Sequence, residues 1–227
     1  MQRLIVTSTA YRQSSAITPQ LEKLDPDNTL LSRMPLRRMD AEQIHDSILS
    51  ATGELNLKAF GPPVPVEATP AGEVVAKGSH KEGFRRSVYV LQRRTTPLTM
   101  LEVFDLPPMS PNCIERAYST VAPQALELTN SDILRDRARY LAGRLIDEFP
   151  VDSARQVDRA YLEVLSRHPT PRETKQALAD LGPLAGFWQD RLKDEKTEAP
   201  LVGGARWLAL ADLCRALLSS AEFVYID

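Results

Sequence analysis

The chain has 227 residues, 43% hydrophobic and 26% charged, with a formal net charge of -2 at pH 7. That is enough apolar material for one generous or two small packed domains, while the near-neutral balance offers no field for a phosphate backbone and excludes nucleic acid as an expected partner. No apolar run reaches the roughly 18 residues of a membrane span and Met1–Thr7 lacks the apolar stretch of a signal peptide, so membrane insertion is not expected.

In chain order, Leu4-Ile5-Val6-Thr7 fits either a strand or the end of a helix, since periodicity cannot decide over so short a run. Residues 16–36 read as irregular, punctuated by Pro19, Pro26 and Pro35. Asp40 as N-cap and Gln43 three residues on predict a helix near 40–53, with Ile44, Ile48 and Leu49 on one face and Gly53 ending it. The prolines between 61 and 70 predict extended loop. A small hairpin is expected near 73–92, with arms 73–77 and 86–92. From about residue 120 the pattern is helical. Ile133, Leu134, Ala138, Leu141, Ala142, Leu145 and Ile146 form one stripe, and Asp152 can cap a following helix. Thr170-Pro171-Arg172-Glu173 marks another helix start, which meets an interruption at Gly182-Pro183. A last helix carries Leu210, Leu213, Cys214, Leu217 and Leu218. The expected fold is mainly α: an irregular region over 1–119 with one helix and one small hairpin, then a helical bundle over 120–227, together one continuous domain.

Candidate chemistry is sparse. Glu42 and His45 share a helical face and could contribute half of a metal site, but no second pair is present, and ion pairing is the simpler role. Cys113 and Cys214 are the two cysteines. The sequence leaves a disulfide between them open, and buried inert thiols are the default for both. No C-x-x-C-H occurs, so no covalent haem and no other cofactor is expected. Asp25-Pro26-Asp27-Asn28 lacks the later ligands of a calcium loop and reads as an Asx-type turn. Arg86 and Arg94 would share a face on a regular strand. With Arg37 and Arg38 they could hold an anionic group, and Glu102 and Asp105 could supply acid–base chemistry. A solvated strand, or pairing of the arginines with Glu102 and Asp105, is the plainer alternative.

Several blocks together resemble the planctomycete domain-of-unknown-function family numbered 1553. They are Leu4 to Ser8 with Tyr11 to Ser15, Arg37 to Glu42, Gly61-Pro62-Pro63-Val64, Arg85 to Tyr89, Ser119-Thr120-Val121, Pro123 to Leu126, and Ser220 to Tyr225. The resemblance spans nearly the whole chain and corresponds to the C-terminal part of the family domain. It implies a longer, exported or periplasmic protein associated with cytochrome-like domains, of which this chain is an N-terminally truncated piece. It carries over no catalytic residue.

Two functions are therefore expected as alternatives. One is a non-catalytic interaction domain that docks onto an upstream domain of the same protein or a redox partner. The other is a polysaccharide-acting hydrolase, or a carbohydrate-binding module that recognises anionic sugars. A truncated start should leave an apolar patch for a partner to cover.

Overall fold

The structure, a computed structural model, describes residues 1–81, 83–108, 113, 115–194 and 204–226. It is mainly α-helical, with three small two-stranded pairings. Two compact units are present: Met1–Met39 with the chain's end from Val224, and Asp40–Phe223.

The first unit holds α1 (Gln2–Val6), α2 (Pro19–Leu24) and β1 (Arg37–Arg38), which pairs antiparallel with β6 (Tyr225–Ile226). The opening segment, open between strand and helix in the sequence, is helical. Helix α2 lies inside the stretch read as irregular. Thr18 accepts the Leu21 amide at 3.2 Å and Pro19 takes the first helical position, the same start signal as Thr170-Pro171. Beyond α2, the Asp25 carboxylate accepts the amides of Thr29 at 2.7 Å and Leu30 at 3.1 Å, so the acidic cluster is a turn of Asx type.

In the second unit, α3 (Ala41–Ala51) starts at Asp40, whose amide donates to Gln43 Oε1 at 2.8 Å. It ends in a Schellman motif. Gly53, at φ +74, donates to the Ser50 carbonyl at 3.0 Å, and Glu54 donates to the Leu49 carbonyl at 2.8 Å. β2 (Leu55–Asn56) follows, then the hairpin of β3 (Val66–Ala68) and β4 (Val74–Ala76).

The hairpin differs from the expected one. Its turn is Thr69-Pro70-Ala71-Gly72, with the Gly72 amide bonded to the Thr69 carbonyl at 2.9 Å; proline second and glycine fourth suit a tight turn. The expected second arm does not pair with residues 73–77. Instead β5 (Phe84–Arg85) runs parallel to β2, and Ser87–Tyr89 coil into a 3-10 turn. The cause is local: Asp46 on α3 takes the Ser87 amide at 2.7 Å and the Arg86 Nε at 3.1 Å, which pulls the chain off a ladder. Arg86 and Arg94 are thus not two positions of one regular strand.

α4 (Thr99–Val103) leads to the helical part: α5 (Ala122–Asn130), α6 (Asp132–Glu148), α7 (Ser153–Leu165), α8 (Pro171–Asp194) and α9 (Gly204–Leu218). The short α10 (Ala221–Val224) then leads to β6. α6 buries Leu134, Arg137, Ala138, Leu141, Ala142 and Leu145, so an arginine joins the expected stripe, while its two isoleucines, Ile133 and Ile146, are only half-buried. α9 is buried on several sides and lies between α6 and α8. Side chains tie the packing together: Trp207 donates to the Arg139 carbonyl at 2.8 Å, Trp188 to Asp212 at 2.6 Å, and Ser219 to the Leu128 carbonyl at 2.8 Å.

α8 does not break at Gly182-Pro183. Proline deletes one helical donor, but Ala179, whose carbonyl loses it, is exposed, so water can satisfy that oxygen. Cys214 is buried, and burial pushes its thiol up to about 12. Cys113 is exposed, contrary to the buried default, and both thiols are free.

At the start of α8, Thr170 and Glu173 form a reciprocal cap, and Arg167 bridges Glu173 and Glu222. The Arg167 hydrogen bonds and the Thr170 cap hold the Glu173 carboxyl down from an ordinary 4.5 to about 2. A depressed folded-state value stabilises above the unfolded value and is lost as pH falls through the folded one. Glu173→Gln is therefore expected to destabilise the protein near neutrality and to flatten the loss of stability between pH 4.5 and about 2; urea unfolding followed by circular dichroism across that range checks it.

Candidate functional site

The Schellman turn after α3 sends Glu54 inward rather than to solvent, leaving its side chain with no exposed surface. A carboxylate so placed requires compensation. Arg137, from the buried stripe of α6, donates to Glu54 Oε1 at 2.8 Å, and the Thr52 hydroxyl donates to Oε2 at 2.9 Å. His80 completes the set through Nδ1. The Arg137 guanidinium lies 3.5 Å above the centre of the Phe84 ring, a favourable seat for a partly desolvated cation. Burial pulls the Arg137 value down, and the Glu54 and Asp136 carboxylates act against that.

His80 is oriented although its side chain is 40% exposed. Its ring stacks on Tyr140 with centroids 4.7 Å apart and planes 7° from parallel, and meets Phe84 edge-on at 6.1 Å. Its second nitrogen, Nε2, lies 2.9 Å from Asp136 Oδ2. Each ring nitrogen thus faces a carboxylate oxygen. The segment carrying His80 depends on Gly83, at φ +74, where an added Cβ would come within 2.6 Å of the Glu54 carbonyl. That approach lets the Phe84 amide bond the Glu54 carbonyl at 2.8 Å.

This cluster forms one end of a cavity of about 280 Å³. Ile48, Leu49, Val74, Leu98, Met100 and Leu134 supply apolar wall. In the sequence His80 lies between the two expected hairpin arms without a spaced partner. Its partners lie 26 and 56 positions away (Glu54 and Asp136), beyond any motif; a glutamate directly after the helix-ending Gly53 was the available signal.

The sequence candidates are distributed differently. Arg37 and Arg38 form β1 of the first unit. Arg86 is paired with Asp46, whereas Arg94 lines a separate hollow of about 250 Å³ with Arg93, Glu102 and Pro107. Asp105, at φ +65, accepts the Ser119 amide and hydroxyl at 2.8 Å each and so anchors the approach to α5. Glu42 is gripped by both terminal nitrogens of Arg116 at 2.7 Å, and that bonding lowers its carboxyl value. His45 lies 3.1 Å from Asp46 and lines the His80 cavity. Among the described residues no group of three or more His, Cys, Asp and Glu side chains is placed to hold a metal, and no helix is long and apolar enough to cross a membrane.

Half-exposed or fully exposed apolar side chains crowd the first unit. Leu4, Ile5, Leu24, Leu30, Leu31 and Leu36 are each more than half exposed, and neither α1 nor α2 has a buried residue.

Residues 1–181 match the family described as "Protein of unknown function (DUF1553)". No curated protein and no solved structure matches the chain.

Removing Arg137 while Glu54 stays buried strips a charge of its main partner. Arg137→Met is expected to lower unfolding free energy by about 3 kcal/mol. The double variant with Glu54→Gln should lose less than the sum of the two single changes, as read from urea unfolding.

Proposed function

The chain belongs to the DUF1553 family of proteins of unknown function, and we propose that within it this region is a non-catalytic docking domain, bound through the apolar face of its first unit to a protein partner. One observation carries the reading: α1 and α2 bury no residue. Helices of five and six residues are far below the length at which a helix holds itself in water, and in folded proteins such elements are stabilised by packing an apolar face. Here that face remains uncovered. Exposed apolar side chains in such number on one small unit favour a site of association. The partner is either another domain of a longer protein or a separate redox protein, and the family resemblance brings in an exported, cytochrome-associated assembly as the setting.

Hydrogen exchange tests this. In the chain alone, amides of residues 2–36 are expected to exchange close to the unprotected rate, and in the native assembly at least about 100-fold more slowly. Leu30→Asp with Leu31→Asp should abolish that protection without changing the melting of α5–α9. Equal exchange rates in the two states would sink the reading.

The carbohydrate alternative is favoured by one observation, the hollow where Arg93 and Arg94 face Glu102 between proline walls. Paired arginines suit sulfate or carboxylate groups. If that reading holds, a sulfated oligosaccharide titrated into the protein is bound, and Arg93→Ala with Arg94→Ala weakens binding at least about tenfold. No heat of binding at millimolar sugar removes it.

A further inference from the structure

We propose that the cavity beside His80 is a binding site for a small monocarboxylate with a compact apolar body, whose carboxylate takes the place that the Asp136 side chain holds on the imidazole. The site lies wholly within the second unit and does not depend on the docking reading.

The shape sets the size class. An apolar cavity of roughly 150 Å³ holds a benzene ring, so about 280 Å³ has room for one ring or a short branched chain together with its carboxylate. The walls set the character of the body, because Ile48, Leu49, Val74, Leu98, Met100 and Leu134 offer it no hydrogen-bonding side chain. A polyhydroxylated ligand would strand its hydroxyls there.

The polar end sets the head group. Two side-chain nitrogens converge on one carboxylate: Asp136 Oδ2 is 2.9 Å from His80 Nε2 and 3.7 Å from Arg137 Nη1. The direction of Nε2 is fixed by the stack on Tyr140 and by the buried Glu54 at the opposite nitrogen. Asp136 itself is only loosely committed, since its side chain is 55% exposed. Ion pairs at such sites add little, and the carboxylate returns to water without penalty. An incoming carboxylate can take the same contacts, while its apolar body gains burial against the cavity wall.

Charge balances through the exchange. Glu54 and Arg137 neutralise one another, and one carboxylate replaces another at Nε2, so the exchange leaves the local charge unchanged. The other polar groups on the lining already have partners: Glu67 pairs with Lys77 at 2.9 Å and His45 with Asp46. The head group is thus directed to His80.

Benzoate is the probe. Titrated into the intact chain, it is expected to shift the His80 ring nitrogen resonances saturably below about 20 mM. Asp136→Ala removes the competing carboxylate from an exposed position and should tighten benzoate about two- to fivefold. His80→Phe keeps the stack on Tyr140 but removes the donor, and should weaken benzoate at least about tenfold. Benzyl alcohol, with the same ring and no carboxylate, should bind at least about tenfold more weakly. The proposal is overturned if benzoate leaves the His80 ring unmoved, if Asp136→Ala does not tighten it, or if benzyl alcohol binds as well.

Discussion

The Glu54 carboxylate sits in the interior with no exposed surface, and its neighbourhood is organised around making that tolerable. Desolvating a carboxylate costs several kcal/mol in a protein interior, so its partners must be held accurately. Arg137 comes from α6, Thr52 from the end of α3, and His80 from the segment between β4 and β5. A second link joins the same parts, since Arg144 of α6 donates to the Thr52 carbonyl at 2.7 Å. The ion pair therefore joins helical and extended parts of the second unit that are far apart in sequence. Well-packed apolar residues could do this with equal stability. What the charged version adds is a polar end to an otherwise oily cavity.

The helices were legible because their signals are local. Asp40 with Gln43, Asp152, and Thr170 with Glu173 all start helices where the sequence places caps, and five of the seven stripe positions of α6 are buried, Ile133 and Ile146 at its edges being half-buried. The departures have identifiable causes, two local and one distant. Thr18-Pro19 was an unused start signal. Pro70 was read as loop when it occupies the second position of a hairpin turn. The arm at 86–92 has the right residue types for a strand, and no pattern in it reveals that Asp46, forty residues earlier, captures its backbone.

The candidate site was hardly legible. Of the residues singled out for chemistry, His45 lines the His80 cavity, and Arg94 and Glu102 share another hollow. The Glu54–His80–Arg137 cluster escaped because each member reads blandly alone: an acid after a helix, a histidine in a loop, an arginine within an apolar stripe. Only Arg137 carried a contradiction, a charge at a position whose neighbours one turn either side are core residues. Charged residues are almost never buried unless paired, so such an arginine implies a distant carboxylate without saying which.

The two units handle apolar surface in opposite ways, and that contrast separates the roles proposed for them. In the second unit, Ile44, Leu101, Phe104, Leu141 and Leu208 are almost wholly buried, and the cavity beside His80 takes wall from the buried Ile48, Leu49, Leu98 and Leu134. Side chains already ordered by packing lose little conformational freedom when a small ligand binds. In the first unit, comparable side chains are exposed on helices too short to stand alone, and their order has to come from whatever covers them. Association there would couple to local ordering, which lowers affinity for a given contact area but permits a large surface to be engaged. Docking through the first unit and ligand binding in the second thus draw on different physical resources, so the loss of one need not abolish the other.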